Sequence, residues 1–228
     1  MSEAIHPLRR EDRNPADDPT GESLLDRKTR PWNIWVPAYP ALVLGNSQDP
    51  ALELEIPSVL QDAIPVHRRI SGGGAVLLSP GCVCMALRFR KRKELAIRDY
   101  FELGSSLLIA TARERLGLDL YLRGTSDLAC AAPDGDRKVA GSSLYMPRDF
   151  VLYLVSLLIV PDLKAVSRYL AHPSKEPDYR AGRSHADFLA GLASLSGRDL
   201  VPREFAQWLE HALPAGLNSH LDWEQAQS

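Results

Sequence analysis

Cysteine, long apolar runs and net charge are all scarce in this sequence, and each shortage excludes a class of protein. Three cysteines among 228 residues, without a Cys-x-x-Cys pair, exclude a disulfide framework and indicate a reducing compartment. The longest apolar run, residues 150–161, is too short to span a bilayer, and the first residues are too polar for a signal peptide. A formal net charge of -2 gives no overall attraction to nucleic acid or to a membrane surface. We therefore expect a cytoplasmic protein that binds neither nucleic acid nor membranes.

Apolar residues, by contrast, are plentiful enough for one sizeable core. The chain is 45% hydrophobic and 25% charged, and its length falls within the range of a single domain. Residues 1–20 hold few large apolar side chains, so we expect a flexible polar tail there and one domain over residues 21–228. Strand patterns fill the middle of that domain, helical spacing marks residues 95–116 and 163–170, and a last amphipathic helix at 202–213 forms a C-terminal extension. This distribution predicts an α+β fold.

The most informative segment runs from Arg68 to Val76, where three consecutive glycines follow two arginines. Glycine loses the most backbone entropy on folding, so such a run suits a positive φ or a ligand that lies against the main chain. Successive N–H groups in such a loop form an anion-binding concavity, and guanidinium groups add donors for a carboxylate or a phosphate. The alternative interpretation is a hairpin turn with two solvated arginines.

A second cluster surrounds Lys138 on a short predicted strand, with small residues beside it. From that strand the ammonium group is able to reach across to a ligand held by the glycine loop. A compact point charge suits a carboxylate or an α-phosphate. Taken alone, Lys138 is interpreted as an ordinary exposed strand lysine.

Four motifs follow one another along the chain and contain these two clusters. They are Gly45-x-x-Gln48, Arg68-Arg69-x-Ser71-Gly72-Gly73-Gly74-Ala75-Val76, Ser126-Asp127-Leu128 and Gly135-Asp136-Arg137-Lys138-Val139-Ala140-Gly141-Ser142. In this order and spacing they resemble the catalytic domain of the lipoate–protein ligase A family. That family shares a superfamily with biotin protein ligases and octanoyltransferases. The similarity extends from about residue 24 to about residue 192.

The resemblance implies a mixed, largely antiparallel sheet flanked by helices, and a two-step reaction. In the family's ligases, ATP and lipoate give lipoyl-adenylate with release of pyrophosphate, and the lipoyl group then moves to a lysine of a carrier protein. ATP and Mg²⁺ are the implied cofactors, and a lipoyl-domain or glycine-cleavage-H-like protein is the implied acceptor. Two alternatives stay open: an octanoyl or lipoyl acyltransferase that acts without ATP, and a non-catalytic acyl- or nucleotide-binding relative that needs a partner.

The same resemblance assigns roles to individual residues. Lys138 is the implied catalytic residue, because its charge neutralises the phosphoryl and carbonyl oxygens. Asp127 matches an acidic residue near the nucleotide, where it orients Mg²⁺ or the incoming amine. The implied substrate- and nucleotide-binding residues are Arg68, Arg69, Ser71, Gly72, Gly73, Gly74, Ala75, Val76, Asp127, Gly141 and Ser142. Further candidates are Gln48, Ser156, Arg183 and His185.

The chain departs from the family pattern in ways that predict a divergent branch. Many family ligases have His-His-Gly-Thr where residues 153–156 read Tyr-Leu-Val-Ser, so Ser156 keeps the hydroxyl and both histidines are absent. We expect no full accessory domain after the catalytic domain, which predicts a separate partner subunit. Cys130 does not match the nucleophile of the cysteine-dependent transferases, because it follows Asp127 instead of preceding the acidic strand.

A basic run from Arg88 to Lys93 lies at the end of a predicted strand. Charges at a strand end hinder edge-to-edge aggregation, so the first interpretation is a solvated edge. The second is a docking site for an acidic lipoyl domain, whose rate of association the charges would increase.

Overall fold

The computed structural model describes residues 18–222, without the side chains of residues 214–216 and 218. Nine strands lie in this part of the chain. They are β1 (Trp32–Trp35), β2 (Ala41–Leu44), β3 (Val66–Arg68), β4 (Val76–Leu78), β5 (Cys82–Arg90), β6 (Leu120–Arg123), β7 (Asp127–Cys130), β8 (Arg137–Tyr145) and β9 (Phe150–Leu158). The helices are α1 (Pro50–Glu53), α2 (Ile56–Gln61), α3 (Ile97–Leu116), α4 (Leu163–Tyr169), α5 (His185–Phe188), α6 (Leu192–Ser196) and α7 (Pro202–Leu217). Short 3-10 turns cover Glu22–Leu25, Asp178–Arg180 and Asn218–His220.

The strands form two sheets of different size. Six of them make an antiparallel sheet in the order β1-β5-β9-β8-β7-β6. The other three make a small mixed sheet in the order β3-β2-β4, in which β2 is parallel to β3 and antiparallel to β4. Helices α3 and α7 pack against each other and against the large sheet. The α+β class with a mixed, largely antiparallel sheet is therefore confirmed.

Strand β9 lies between β5 and β8, near the middle of the large sheet. Its first six residues are all buried, because α3 covers one face and further side chains cover the other. Helix α3 fits closely against this strand at Gly104, where an added Cβ atom would lie 2.6 Å from ring atoms of Tyr153. The helix ends at Gly117 with φ 69°, a left-handed cap that glycine adopts readily.

The three glycines lie in the connection from β3 to β4, and this connection is not a hairpin. Strand β2 separates β3 from β4, whereas a hairpin joins neighbouring antiparallel strands. The connection therefore crosses the end of β2. The second arginine, Arg69, is only 8% exposed. The interpretation as a hairpin turn with two solvated arginines is wrong.

The basic run begins with an arginine that is fully buried. Arg88 donates hydrogen bonds to four backbone carbonyls within residues 24–29, and its Nε lies 3.6 Å from a carboxylate oxygen of Asp222. Such bonds compensate the loss of hydration that burial of a guanidinium costs. The solvated-edge interpretation is therefore wrong for Arg88. Residues 90–93 are exposed or half-buried and carry the rest of the positive charge.

The predicted polar tail, residues 1–20, lies mostly outside the described residues. Its last two residues, Pro19 and Thr20, are buried and belong to the folded domain. The residues that follow form a 3-10 turn from Glu22 to Leu25. In residues 18–222, no helix combines the length and the apolar character that crossing a membrane requires.

Candidate active site

One row of residues crosses the whole large sheet and forms the floor of the site. In antiparallel strands, residues directly opposite each other point to the same face. The register places one residue of each strand in this row, and every member lines at least one of two adjoining cavities. From β1 to β6 the row is Trp35, Cys84, Ser156, Gly141, Asp127 and Arg123.

Lys138 joins this row because β8 contains a bulge. In a regular strand, residues three apart face opposite sides, so Lys138 would point away from Gly141. The pairing of β7 with β8 skips Val139, however, and a bulge of this kind reverses the alternation and re-aims the side chain before it. The ammonium of Lys138 lies 3.1 Å from the position that a Cβ atom on Gly141 would occupy. Glycine at this position therefore leaves the space in which the charge sits.

Lys138 and Tyr179 hold the two oxygens of the same carboxylate. Nζ of Lys138 lies 2.7 Å from Oδ1 of Asp127, and the hydroxyl of Tyr179 donates to Oδ2 of Asp127 over 2.9 Å. Burial, followed by the charge of Asp127, raises the pKa of Tyr179, so its phenol keeps the proton that it donates. The carboxylate is thus oriented from both sides.

The residues around Asp127 do not form a magnesium site by themselves. One carboxylate oxygen of Asp127 is paired with the ammonium of Lys138, and the other accepts a hydrogen bond from Tyr179. In residues 18–222, no three His, Cys, Asp or Glu side chains are grouped so that they could hold a metal ion. The Mg²⁺ site expected at Asp127 stays a prediction.

Arg69 holds the glycine loop through its carbonyl groups. Its guanidinium donates to the carbonyl oxygens of Gly72 over 2.7 Å, Gly74 over 2.9 Å and Val43 over 3.3 Å. Burial lowers the pKa of Arg69 to about 10, which still leaves it charged at neutral pH. All three glycines are exposed, and their N–H groups form no hydrogen bond with any residue in the described range 18–222. The N–H groups are therefore available to an anion.

Arg68 and Gln48 support the turn after β2 and line neither cavity. Nη1 of Arg68 donates to the carbonyl oxygens of Gly45, Asn46 and Gln48 over 2.8 to 3.0 Å. The side-chain oxygen of Gln48 accepts a bond from the N–H of Gly45 over 2.9 Å. This turn touches the loop directly, because a Cβ atom on Gly45 would collide with the carbonyl oxygen of Gly73. Arg68 and Gln48 were expected to contact the substrate. They instead support the turn that contacts the glycine loop.

Serine contacts connect the loop and β7 to strand β8. The hydroxyl oxygens of Ser71 and Ser143 are 2.8 Å apart, and both residues are buried. Ser142 donates from its N–H and its hydroxyl to the carbonyl oxygen of Ser126, over 2.9 and 2.7 Å. Ser126 directly precedes Asp127 in the sequence. These two hydrogen bonds to the Ser126 carbonyl oxygen therefore fix the position of the Asp127 carboxylate at the start of β7.

The smaller of the two cavities, which we call the inner cavity, has a volume of about 120 Å³ and lies between the two sheets. Its walls are largely apolar on the side away from Lys138, and Pro19 and Thr20 complete them. The apolar wall includes Trp35, Val43, Leu78, Met85, Leu154 and Val155.

The larger one, the outer cavity, has a volume of about 300 Å³ and a charged wall. Arg123, Lys175 and Arg180 contribute positive charges, His185 contributes an imidazole, and Glu53 contributes a buried carboxylate. The two cavities share the wall at which the pair of Lys138 and Asp127 lies. The shared wall consists of Gly74, Ala75, Val76, Ser126, Asp127, Lys138, Gly141 and Ser156.

The structure separates the two candidates in the segment of residues 173–185. Arg183 lines neither cavity, because its guanidinium donates to the carbonyl oxygens of Tyr179 and Arg180 over 2.8 and 3.1 Å. His185 lines the outer cavity, and burial lowers its pKa, so the imidazole is neutral at pH 7. Within this segment, the arginine that lines the outer cavity is Arg180, which is 4% exposed.

Sequence reasoning missed Tyr179, Arg180 and Glu53. The first two lie close to the candidates Arg183 and His185 in the sequence, but two arginines three positions apart give no sign of which one faces inward. Glu53 was not predicted as a site residue because a glutamate at the end of a helix is normally exposed. Here it is 3% exposed, and its carboxylate accepts a hydrogen bond from Ser174.

Comparison with known proteins gives one consistent result. Residues 24–213 match the model of the lipoyl protein ligase A/B catalytic domain. A bipartite lipoate protein ligase from Thermoplasma acidophilum, described with its E2 lipoyl domain, is 19% identical with a TM-score of 0.72, over 87% of this chain and 77% of that one. A second structure from that organism, with bound lipoic acid, is 18% identical with a TM-score of 0.68, over 87% and 79%. A lipoate-protein ligase A bound with ATP is 19% identical with a TM-score of 0.68, over the same shares. The structural likenesses show a common fold.

Proposed function

The chain belongs to the family of lipoyl protein ligase A/B catalytic domains, and we propose that it is a lipoate–protein ligase. The family inferred from the four motifs is thereby confirmed. In the proposed reaction the protein activates lipoate with ATP to lipoyl-AMP and transfers the lipoyl group to a lysine of a carrier protein. The family as a whole supports an enzyme of the ligase or transferase kind, so the choice between these reactions depends on the site.

One observation carries the choice of a ligase: two cavities of different character meet at Lys138. The apolar inner cavity suits an aliphatic acyl chain, whereas the basic wall of the outer cavity suits phosphate groups. An acyl carboxylate at the end of the inner cavity would meet a phosphate from the outer cavity beside the ammonium. An acyl transfer without a nucleotide has no triphosphate to place in the second, basic cavity. Relatives of the same fold have been solved with lipoic acid and with ATP, which supports both ligands.

The first step brings two anions together. A carboxylate oxygen of lipoate attacks the α-phosphorus of ATP, and the bond from that phosphorus to the pyrophosphate oxygen breaks. Lys138 and the free N–H groups of the glycine loop lower the repulsion between the two anions and stabilise the charge that grows on the phosphoryl oxygens. Arg69 contributes by holding the carbonyl groups of the loop, so that the N–H groups need no rearrangement during the reaction.

The second step transfers the acyl group. The neutral amine of the carrier lysine attacks the carbonyl carbon of lipoyl-AMP, the bond to AMP breaks, and the proton of the amine passes to solvent. Charge develops on the carbonyl oxygen and on the leaving phosphate. Lys138 lies beside both groups, since they stay where the first step joined them.

We propose a lipoyl-domain or glycine-cleavage-H-like carrier as the acceptor and a separate accessory subunit as a second partner. The bipartite ligase of Thermoplasma acidophilum and its E2 lipoyl domain support both proposals. Because Asp127 is taken by Lys138, the proposed Mg²⁺ would be held mainly by the phosphates of ATP, as is common for this ion.

The function is tested by lipoate-dependent exchange of labelled pyrophosphate into ATP, with the purified chain and with Mg²⁺ added. We expect exchange that requires lipoate, and transfer of the lipoyl group to a purified lipoyl domain in the same mixture. A folded chain that transfers octanoyl from an acyl carrier protein and shows no exchange would be a transferase, and the ligase proposal would be wrong. Restoration of exchange by an accessory subunit would support the ligase with a required partner.

A cysteine-dependent transfer gives a second test, with Cys130→Ser as the variant. Cys130 lines neither cavity, and burial raises the pKa of its thiol, so little thiolate forms at pH 7. We expect pyrophosphate exchange and lipoyl transfer within about twofold of the original protein in the folded variant, because the thiol lies outside both cavities. A more than tenfold loss of transfer in a stably folded Cys130→Ser protein would favour the cysteine-dependent transferase.

A further inference from the structure

Tyr179 connects the Lys138–Asp127 pair to a separate part of the site, and the chemistry described so far does not use it. Its hydroxyl holds one oxygen of Asp127 at 2.9 Å, while Lys138 holds the other at 2.7 Å. Asp127 is only 8% exposed, so few other positions are open to its carboxylate. Rotation of this carboxylate would displace both the hydrogen bond to Tyr179 and the ion pair with Lys138. The position of the phenol therefore determines the position of the ammonium.

The ring of Tyr179 is itself held in place. It packs on Phe188 with ring centroids 5.1 Å apart, and the guanidinium of Arg123 lies 5.4 Å above it. Tyr179 belongs to the 3-10 turn Asp178–Arg180, and its neighbour Arg180 faces the outer cavity. The phenol thus stands behind Asp127, outside both cavities, on the same short turn that supplies a wall residue.

The surrounding segment, residues 172–183, is tied together around Glu176. One carboxylate oxygen of Glu176 accepts a bond from the N–H of Gly182 over 2.9 Å. The other lies 3.0 Å from Nε2 of His172 and 3.4 Å from Nε of Arg180. These contacts join the beginning and the end of the segment. A displacement of the wall of the outer cavity would therefore displace Tyr179 as well.

The geometry points to Tyr179 as a positioning residue that links the wall of the outer cavity, through Asp127, to the alignment of Lys138. A nucleoside triphosphate that stabilises this wall also stabilises the position of the lysine, so nucleotide binding and the alignment of the charge are coupled. Coupling of this kind is reciprocal, and removal of Lys138 loosens the wall. The inference deepens the proposed function and depends on it for the identity of the ligand.

The decisive experiment is a double-mutant cycle on the rate of pyrophosphate exchange. Tyr179→Phe keeps the ring and removes only the hydroxyl, and a hydrogen bond to a charged group justifies a loss of about tenfold in kcat. We expect the KM for lipoate to change by less than about twofold, since the ring lies outside the inner cavity. In a Lys138→Ala background the same substitution should change kcat by less than about twofold, because its effect passes through the lysine. A full tenfold loss in that background would overturn the inference.

Tyr169→Phe is the matched control. The hydroxyl of Tyr169 also donates to an aspartate, Asp62, over 2.8 Å, and neither residue lines a cavity. We expect this variant to keep kcat within about twofold of the original protein. An equal loss in both tyrosine variants would mean that a general loosening of the fold explains the effect, and would contradict the inference.

Amide hydrogen exchange of the ligand-free protein tests the coupling without any activity. Both Tyr179→Phe and Lys138→Met should speed exchange of the backbone amides in residues 176–185, whereas Tyr169→Phe should leave them unchanged. Absence of pyrophosphate exchange both without and with an accessory subunit would defeat the proposed function, and the amide exchange would still decide the coupling. Unchanged amide exchange in Tyr179→Phe and Lys138→Met would defeat the coupling and leave the proposed function standing.

Discussion

Replacement of Lys138 by alanine lowers the rate of lipoate-dependent pyrophosphate exchange by about 10²- to 10³-fold, while the protein stays folded. The size follows from the loss of one preorganised charge that stabilises the phosphoryl oxygens as their charge develops. The ammonium is anchored by Asp127 at 2.7 Å, so its position requires no adjustment when the reaction begins. Among the described residues 18–222, Lys138 is also the one cation that the walls of both cavities share. The other positively charged residues of the outer cavity do not line the inner cavity, so they cannot replace the charge of Lys138 there.

The loss should appear mainly in kcat, because the charge acts most strongly in the transition state. Lys138→Arg should restore little, since a planar fork does not fit the space that Gly141 leaves for a compact ammonium. Lys164→Ala is the control, because Lys164 is exposed on α4 and lines neither cavity. Circular dichroism and thermal melting verify the fold. Exchange within about threefold of the original rate in Lys138→Ala would remove this lysine from the mechanism.

Gly45→Ala lowers pyrophosphate exchange by about 10²-fold and also destabilises the protein by about 3 kcal/mol. A Cβ atom at this position would collide with the backbone carbonyl oxygen of Gly73, and backbone cannot move aside as a flexible side chain can. Relief of the collision displaces the glycine loop from the turn after β2. The loop N–H groups then no longer face the position where the two substrates meet. A displacement of about 1 Å at a reacting centre is enough for a loss of this size.

Gly72→Ala provides the matched control for stability. Nothing lies within 4 Å of a Cβ atom at Gly72, and its φ is outside the range that disfavours side chains. Urea unfolding should give a free energy of unfolding within about 0.5 kcal/mol of the original protein for this variant. Equal stability of Gly45→Ala and Gly72→Ala would show that the contact between the turn and the loop does not constrain the backbone.

The family and the fold class follow from the order of the amino acids alone. Short, nearly continuous apolar runs mark strands such as β5 and β9, and helical spacing marks α3, which ends before Gly117. These signals are local, since each depends on residues a few positions apart. The four motifs add a specific order and spacing, and the match of residues 24–213 to the family bears out the resemblance that they carry.

The roles of the arginines could not be read from the sequence. Arg68 and Arg69 are neighbours, yet only Arg69 holds the glycine loop, while Arg68 supports the turn after β2. Arg183 was a candidate, yet Arg180 lines the outer cavity. A long flexible side chain reaches many partners, and the choice among them depends on carbonyl groups that come from distant parts of the chain. Burial of Arg88 against residues 24–29 is decided in the same way.

The arrangement of the residues that line the two cavities was decided by strand register and by one bulge, both of which exist only in the tertiary structure. The row from Trp35 to Arg123 takes one residue from each of six strands, and a slip of one residue in any pairing would remove a member from the face that lines the cavities. Alternation alone directs Lys138 away from Gly141, and the bulge at Val139 brings both to the same face. The motifs therefore identify which residues meet. Long-range pairing determines where they meet, because hydrogen bonds between strands, and not the sequence of any one strand, set the register.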